Sequence, residues 1–200
     1  MTMTSNKTFF VLFALAGLAV SLGGCGGPAT VPKSYSSYKA EDGSFKIEYP
    51  AEWTVEGGGK GGYGWAKFTS GNSEIKVTTS LVGSLMADIS KIQHPPILKD
   101  LQGNEDTAPV AIVHEQEKEE FEEETGVKEK AAAFVGTAVN DARKAEFSGE
   151  STFGGSIHGY RVTALTPDRR IRIVCQCPEG EWKSLQPAFD KIILTLSRGK

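Results

Sequence analysis

The sequence carries no excess of positive charge. Its 22 Lys and Arg against 25 Asp and Glu leave a formal charge of −3, which argues against a nucleic-acid binder, whose footprint is a basic patch or stripe. Catalytic signatures are missing as well. No Gly-x-Ser-x-Gly run presents a nucleophile, and His94, His114 and His158 have no spacing that marks a catalytic set. Lys60 is followed by Gly61 rather than Ser or Thr, so the glycine-rich stretch at 57–64 is not a P-loop. After residue 25 no apolar run reaches membrane length. Cysteine is scarce too, with one at 25 and two at 175 and 177.

The first cysteine closes an export signal. Lys7 precedes "FFVLFALAGLAVSL", residues 9–22, an apolar run too short to span a bilayer comfortably and ending in small residues. Leu22-Gly23-Gly24-Cys25 then resembles the bacterial lipobox. That resemblance implies cleavage before Cys25 and lipidation of its thiol. Several acyl chains at about 0.8 kcal/mol per buried CH₂ hold more firmly than one, so the mature protein is expected to be tethered rather than spanning. Lys7 is the one charged residue among positions 1–24, so the mature charge becomes −4. "GGPATVPKSYSSY", residues 26–38, has no apolar periodicity and reads as a flexible leash reaching about 40 Å. The expected organisation is signal peptide 1–24, lipidated N-terminus and linker 25–37, and one domain over 38–200.

Within that domain the pattern is strands, then helices, then strands and a helix. "SFKIEYP" alternates Phe45, Ile47 and Tyr49 with polar residues and stops at Pro50. "WAKFTS" and "EIKVTTSLV" come next as strands around a Gly71-Asn72 turn, and the whole region reads as an antiparallel meander. Gly57, Gly59 and Gly62 satisfy G-x-G-x-x-G. The residues leaving that stretch, Tyr63, Trp65 and Phe68, spell a strand rather than the helix a dinucleotide site needs, so the segment reads as a mobile hairpin loop. "SLMADISKI" spaces Leu85, Ile89 and Ile92 as a helix until His94-Pro95-Pro96.

Residues 108–126 predict a second helix with Val110, Val113 and Phe121 on one face, Pro109 in its first turn and Gly126 as its stop. Its other face holds seven carboxylates and one lysine between Glu115 and Glu124, a pattern that usually marks a solvated face. It lacks calcium-loop geometry, and His114-Glu115 has no second histidine for zinc. Residues 127–150 read either as a continuation of that helix or as strand, and favour strand for much of their length. In the last third, "EWKSLQPAFDKIILTLSR" lines up Trp182, Leu185, Phe189, Ile192, Ile193 and Leu196 on a helical stripe, with the main segment expected to start at Pro187.

The preceding hairpin can be read residue by residue. With Thr166 to Arg169 as the turn, Leu165 faces Arg170, Ala164 faces Ile171, Val162 faces Ile173, Tyr160 faces Cys175 and His158 faces Cys177. Cys175 and Cys177 then continue an apolar stripe as small core residues. The alternative is a strained, labile Cys-x-Cys disulfide. Arg161, Thr163, Arg170 and Arg172 take the opposite face. The three arginines are candidates for a partner or anion surface, or else pair with the Glu-rich helix.

The order of these pieces, a lipobox, "GSFKIEYPAEW", a helical interruption, "FGGSIHGYRV…RRIRIVC" and "FDKIILTL", resembles the PsbP-like superfamily. The resemblance rests on Phe-x-Ile-x-Tyr-Pro-x-x-Trp at 45–53, with Gly154-Gly155 and the 189–196 helix in support, and spans about residues 38–197. It implies an α+β fold, an antiparallel β-sheet flanked by helices as an α/β/α sandwich. The acidic stretch near 100–130 departs from the pattern. Members of that group are mainly docking or accessory domains. The resemblance therefore implies a lipid-anchored domain of the bacterial cell envelope that binds a membrane through Cys25 and an envelope protein partner. It implies no cofactor, and nothing in it suggests nucleic acid. Two other classes stand beside it: an envelope hydrolase whose groups meet only in space, and a divalent-cation-handling lipoprotein using residues 115–124.

Overall fold

The computed structural model describes residues 28–83, 99, 105–139, 141–150 and 154–199. The hydrophobic leader, Cys25 and the helix expected over residues 84–92 lie outside them. Among the described residues, β1 (Tyr35–Lys39) and β2 (Lys46–Pro50) pair as a two-stranded ribbon. A larger sheet contains β3 (Thr54–Lys60), β4 (Tyr63–Ser70), β5 (Ser73–Leu81), β6 (Val127–Glu129), β7 (Ala133–Phe134), β8 (Asp141–Glu150), β9 (Ser156–Leu165) and β10 (Arg169–Pro178). Its order is β3-β4-β5-β10-β9-β8-β6, with β7 also on β8. All the pairings are antiparallel. Three helices complete the described chain: α1 (Pro109–Gln116), α2 (Lys118–Thr125) and α3 (Glu179–Leu194).

Period-two alternation gives the sheet two faces. Phe68, Ile75, Val77, Val162, Ile171 and Ile173 line the inner one. They bury against Leu185, Phe189, Ile192 and Ile193 of α3 and against Phe45 and Ile47 of the ribbon. On the outer face, α1 contacts β8 and β9, and α2 contacts β6. A smaller cluster of Phe121, Val127 and Phe147 seals that side. The result is an α+β fold with an antiparallel sheet between helical layers.

The β9–β10 hairpin has the register that alternation predicts, from Leu165 opposite Arg170 to His158 opposite Cys177. Gly126 ends α2 in the left-handed region at φ 76°, where glycine has no Cβ penalty, and Pro109 opens α1.

Several expectations are corrected. The leash is shorter than 26–38, because Tyr35–Lys39 is a strand. Tyr35 lies under the Lys191 ammonium, 3.7 Å from its ring centroid, and Tyr38 packs on Phe45 and Phe68. β2 pairs with β1 rather than joining the meander. The glycine stretch is not a loop: Gly57, Gly58 and Gly59 are strand residues, and the turn is confined to Gly61-Gly62. The helix over 108–126 breaks into two at Glu117. Pro187 lies inside α3 rather than starting it. It sits on the exposed side, where water can satisfy the carbonyl its missing N–H leaves free.

The glycines of β3 answer to packing. A Cβ on Gly57 would collide with the Tyr38 hydroxyl and ring. Gly57→Ala is expected to cost about 1–3 kcal/mol through overpacking, read as a lowered urea midpoint. In a Tyr38→Ala background the same change should cost much less, because the collision is gone.

Candidate functional site

The face that alternation assigns to Arg161, Thr163, Arg170 and Arg172 is the outer one, and β6, α1 and α2 turn part of it into an interior. Arg161 is fully buried. Its Nε donates to Glu129 Oε1 at 2.6 Å and its Nη2 to Glu129 Oε2 at 2.7 Å, a bidentate pair. Nη2 also donates to the His114 carbonyl at 2.8 Å, and the guanidinium lies 5.3 Å from the Phe121 ring centroid. Arg161 is therefore no part of an accessible partner or anion surface. It joins β9 to β6 and α1.

His114 and Glu117 complete the arrangement from the helices. His114 is buried, with Nδ1 3.0 Å from the Thr163 hydroxyl and Nε2 4.0 Å from Glu129 Oε2. Burial, and then the positive field of Arg161, Arg172, Lys118 and Arg143, pushes its pKa down to about 2, so the ring is neutral. Glu117, at the break between α1 and α2, forms ion pairs with Arg170, with Arg172 at 3.6 Å and with Arg161 at 3.8 Å. Pairing with the Glu-rich helix is thus what the structure shows. It runs through the buried Glu117, while the remaining carboxylates of the run stay partly or wholly exposed.

The sequence held a signal for this. On a 3.6-residue period His114 and Glu117 fall on the stripe of Val110, Val113 and Phe121, as two polar residues in an apolar row. Glu129 had no comparable signal, since β6 is three residues long.

Arg170 and Arg172 differ from Arg161. Their side chains remain about a quarter exposed, at 25% and 23%. Burial, then a neighbouring guanidinium, holds both pKa values below the usual arginine range. Arg172 opens onto a cavity of ≈ 250 Å³ between α2 and the sheet. Phe121 and Val174 supply apolar wall there, Lys76, Thr78 and Gln176 supply polar groups, and Glu74 and Glu124 bring two carboxylates to the same rim.

Among the described residues the other polar clusters assemble no reactive set. His114 and Thr163 form a base-and-hydroxyl pair, but both are sealed from solvent and the imidazole is a weak base. His158 stacks on Trp182, with ring centroids 4.1 Å apart, and its nitrogens lie 2.8 Å from Glu146 and 2.9 Å from Glu179. Arg143 is clamped by Asp106 and Asp141 at 2.6 Å each, beside a cavity of ≈ 370 Å³. Among the described residues no three His, Cys, Asp or Glu side chains converge as a metal site. In the acidic run, Glu122 accepts from Lys128 Nζ at 2.7 Å and from the Glu129 N–H at 2.8 Å. These contacts lower its pKa.

Cys175 and Cys177 are buried, free thiols on the inner face, as the register predicts. Burial raises both pKa values, that of Cys177 to about 12. Under native conditions a maleimide reagent is expected to modify neither. Denaturant without reductant should release both to the reagent, and a failure to release them would reveal a disulfide.

No protein-family model and no curated protein sequence matches the chain. Solved structures do. The solution structure of cyanobacterial PsbP (CyanoP) from Synechocystis sp. PCC 6803 superposes with a TM-score of 0.57 at 15% identity. That match covers 88% of this chain and 98% of CyanoP. A crystal structure from Bacteroides thetaiotaomicron reaches 0.48 at 14%, covering 82% of this chain and 48% of that one. LpqN, described as involved in cell envelope biogenesis of Mycobacterium tuberculosis, reaches 0.43 at 10%, covering 82% and 90%. The CyanoP match carries the fold: the chain has the PsbP-like architecture. Among the described residues no helix is long and apolar enough to cross a membrane.

Proposed function

We propose that this protein is a lipid-anchored accessory domain of the bacterial cell envelope, fastened by acyl groups on Cys25 and acting by binding. The observation that carries this reading is Leu22-Gly23-Gly24-Cys25, which comes after an apolar leader and stands four residues before Ala29, the first hydrogen-bonded contact among the described residues of a PsbP-like domain. A thiol placed there is the nucleophile that a lipobox requires. No assembled catalytic set competes with this reading among the described residues. The part of the arginine face open to a partner is Arg170 and Arg172 with the cavity beside Phe121. Its rim sets Lys76 and Arg172 beside Glu74 and Glu124, and both arginines already pair with Glu117, so charge alone selects no anionic partner.

The test is expression in a bacterium fed a tagged fatty acid. The wild-type chain should carry the tag, fractionate with membranes and show an acylated residue 25 by mass spectrometry. Cys25→Ala should lose all three. An unmodified Cys25, or a retained leader, would overturn the reading.

A further inference from the structure

We propose that the anchor seats the domain on the bilayer in one orientation, with the β4–β5 turn and the start of α3 toward the lipid and the β3–β4 turn away. The inference rests on the Cys25 reading and adds to it which surface the membrane meets.

The chain enters the domain at a single pinned place. The Ala29 N–H donates to Glu181 Oε2 at 3.1 Å, and the Thr30 N–H donates to Ser70 Oγ at 3.1 Å. The Thr30 carbonyl accepts from Trp53 Nε1 at 3.2 Å. Glu181 is held in turn by the Ser73 hydroxyl at 2.9 Å. Trp53 is buried, and Ala29 packs against the main core. Ser70 ends β4, Ser73 begins β5 and Glu181 lies in the first turn of α3. All three mark the same end of the sheet.

Length then decides the orientation. Only residues 26–28 separate Cys25 from Ala29, so the tether reaches at most about 14 Å at 3.3–3.6 Å per residue. This replaces the leash of about 40 Å that the sequence alone suggests. The eight residues of β4 place the β3–β4 turn about 26 Å away at ~3.3 Å per residue. A tether shorter than the sheet cannot let the molecule turn over. The exposed Tyr63, Trp65 and Leu81 cluster toward the far end, so membrane insertion through them is the competing arrangement. Near the entry end Glu52, Glu179 and Glu181 stand against the exposed Lys33 and Lys183, a mixed set with no basic excess for anionic lipid, which leaves the tether itself as the restraint.

The test uses the full lipidated chain in vesicles of phosphatidylethanolamine and phosphatidylglycerol containing a headgroup nitroxide quencher. A fluorophore is placed through Asn72→Cys on the β4–β5 turn or Lys60→Cys at the far end. Both positions are exposed, and the native thiols are buried. Quenching should be several-fold stronger at position 72. Inserting about twelve Gly/Ser residues after Cys25, enough for roughly 40 Å, should bring the two positions close to parity. Equal or reversed quenching in the uninserted chain that still floats with vesicles would overturn the orientation alone. A contrast that survives the insertion would overturn the tether as its cause. A chain that does not float and carries an unmodified Cys25 would overturn the anchor reading, and the orientation with it.

Discussion

Arg161→Met is expected to destabilise the protein by about 3–5 kcal/mol, the usual loss when one partner of a buried ion pair is removed. The substitution keeps most of the volume and leaves Glu129, whose side chain is fully buried, without its bidentate partner. It also withdraws the donor to the His114 carbonyl and the cation over Phe121. Glu129→Gln removes the charge while retaining shape, and should cost less because the amide oxygen still accepts a bond. The double variant Arg161→Met/Glu129→Met should recover much of the single loss, since replacing both members of a buried pair with apolar groups is often neutral or better. Urea unfolding midpoints measure all three. A wild-type midpoint for Arg161→Met would mean that the guanidinium is solvated and the buried cluster does not exist.

Mild acid should weaken the fold through His114. Its pKa is 6.5 in the unfolded chain and about 2 in the folded one, held down first by burial and then by Arg161, Arg172, Lys118 and Arg143. Glu129, with Oε2 4.0 Å from Nε2, is the carboxylate facing it and does not offset them. Between those two values the unfolded state binds a proton that the folded state refuses. Stability is therefore full above pH 6.5 and falls as the pH drops below it, by about 1.4 kcal/mol per unit. From pH 6.5 to about pH 5 the loss approaches about 2 kcal/mol. Glu122, Asp106, Glu146 and Asp168, whose folded pKa values are lowered, lose their contributions only at more acid pH. The upper window thus separates His114 from these carboxylates. Denaturation at about pH 7, 6 and 5 should show the fall in wild type and a nearly flat profile in His114→Gln. A slope unchanged by that substitution would assign the acid response elsewhere.

Legibility in the sequence tracked the physics of each element. The β9–β10 hairpin was legible to the residue because both strands alternate strictly and a short polar turn fixes their register. The placement of Cys175 and Cys177 on the inner face came with it. The cover over the outer face was not legible. Alternation puts Arg161 opposite the core stripe, but only the tertiary placement of α1, α2 and the short β6 turns that side into an interior. The first strand of the N-terminal ribbon was missed for a related reason: in "YSSYK" the tyrosines are three apart, and no period of two announces a strand. Gly57 to Gly59 read as a loop because composition reports conformational freedom and not the Tyr38 ring lying against the backbone. Three hydrogen bonds at Ala29 and Thr30 had no sequence signal at all, yet they bound the reach of the proposed tether.

The cover over the two inner thiols follows them in the chain. β10 is complete at Pro178, while the helix that closes over it, α3, occupies Glu179–Leu194. Until that helix has docked, both sulfurs keep the ordinary acidity of a solvent-facing thiol and the thiolate that oxidants and electrophiles attack. A frameshift or proteolytic cut within the final helix would therefore do more than loosen the molecule. It would turn two inert residues into a reactive vicinal pair, so that chemical reactivity marks cut copies apart from intact ones.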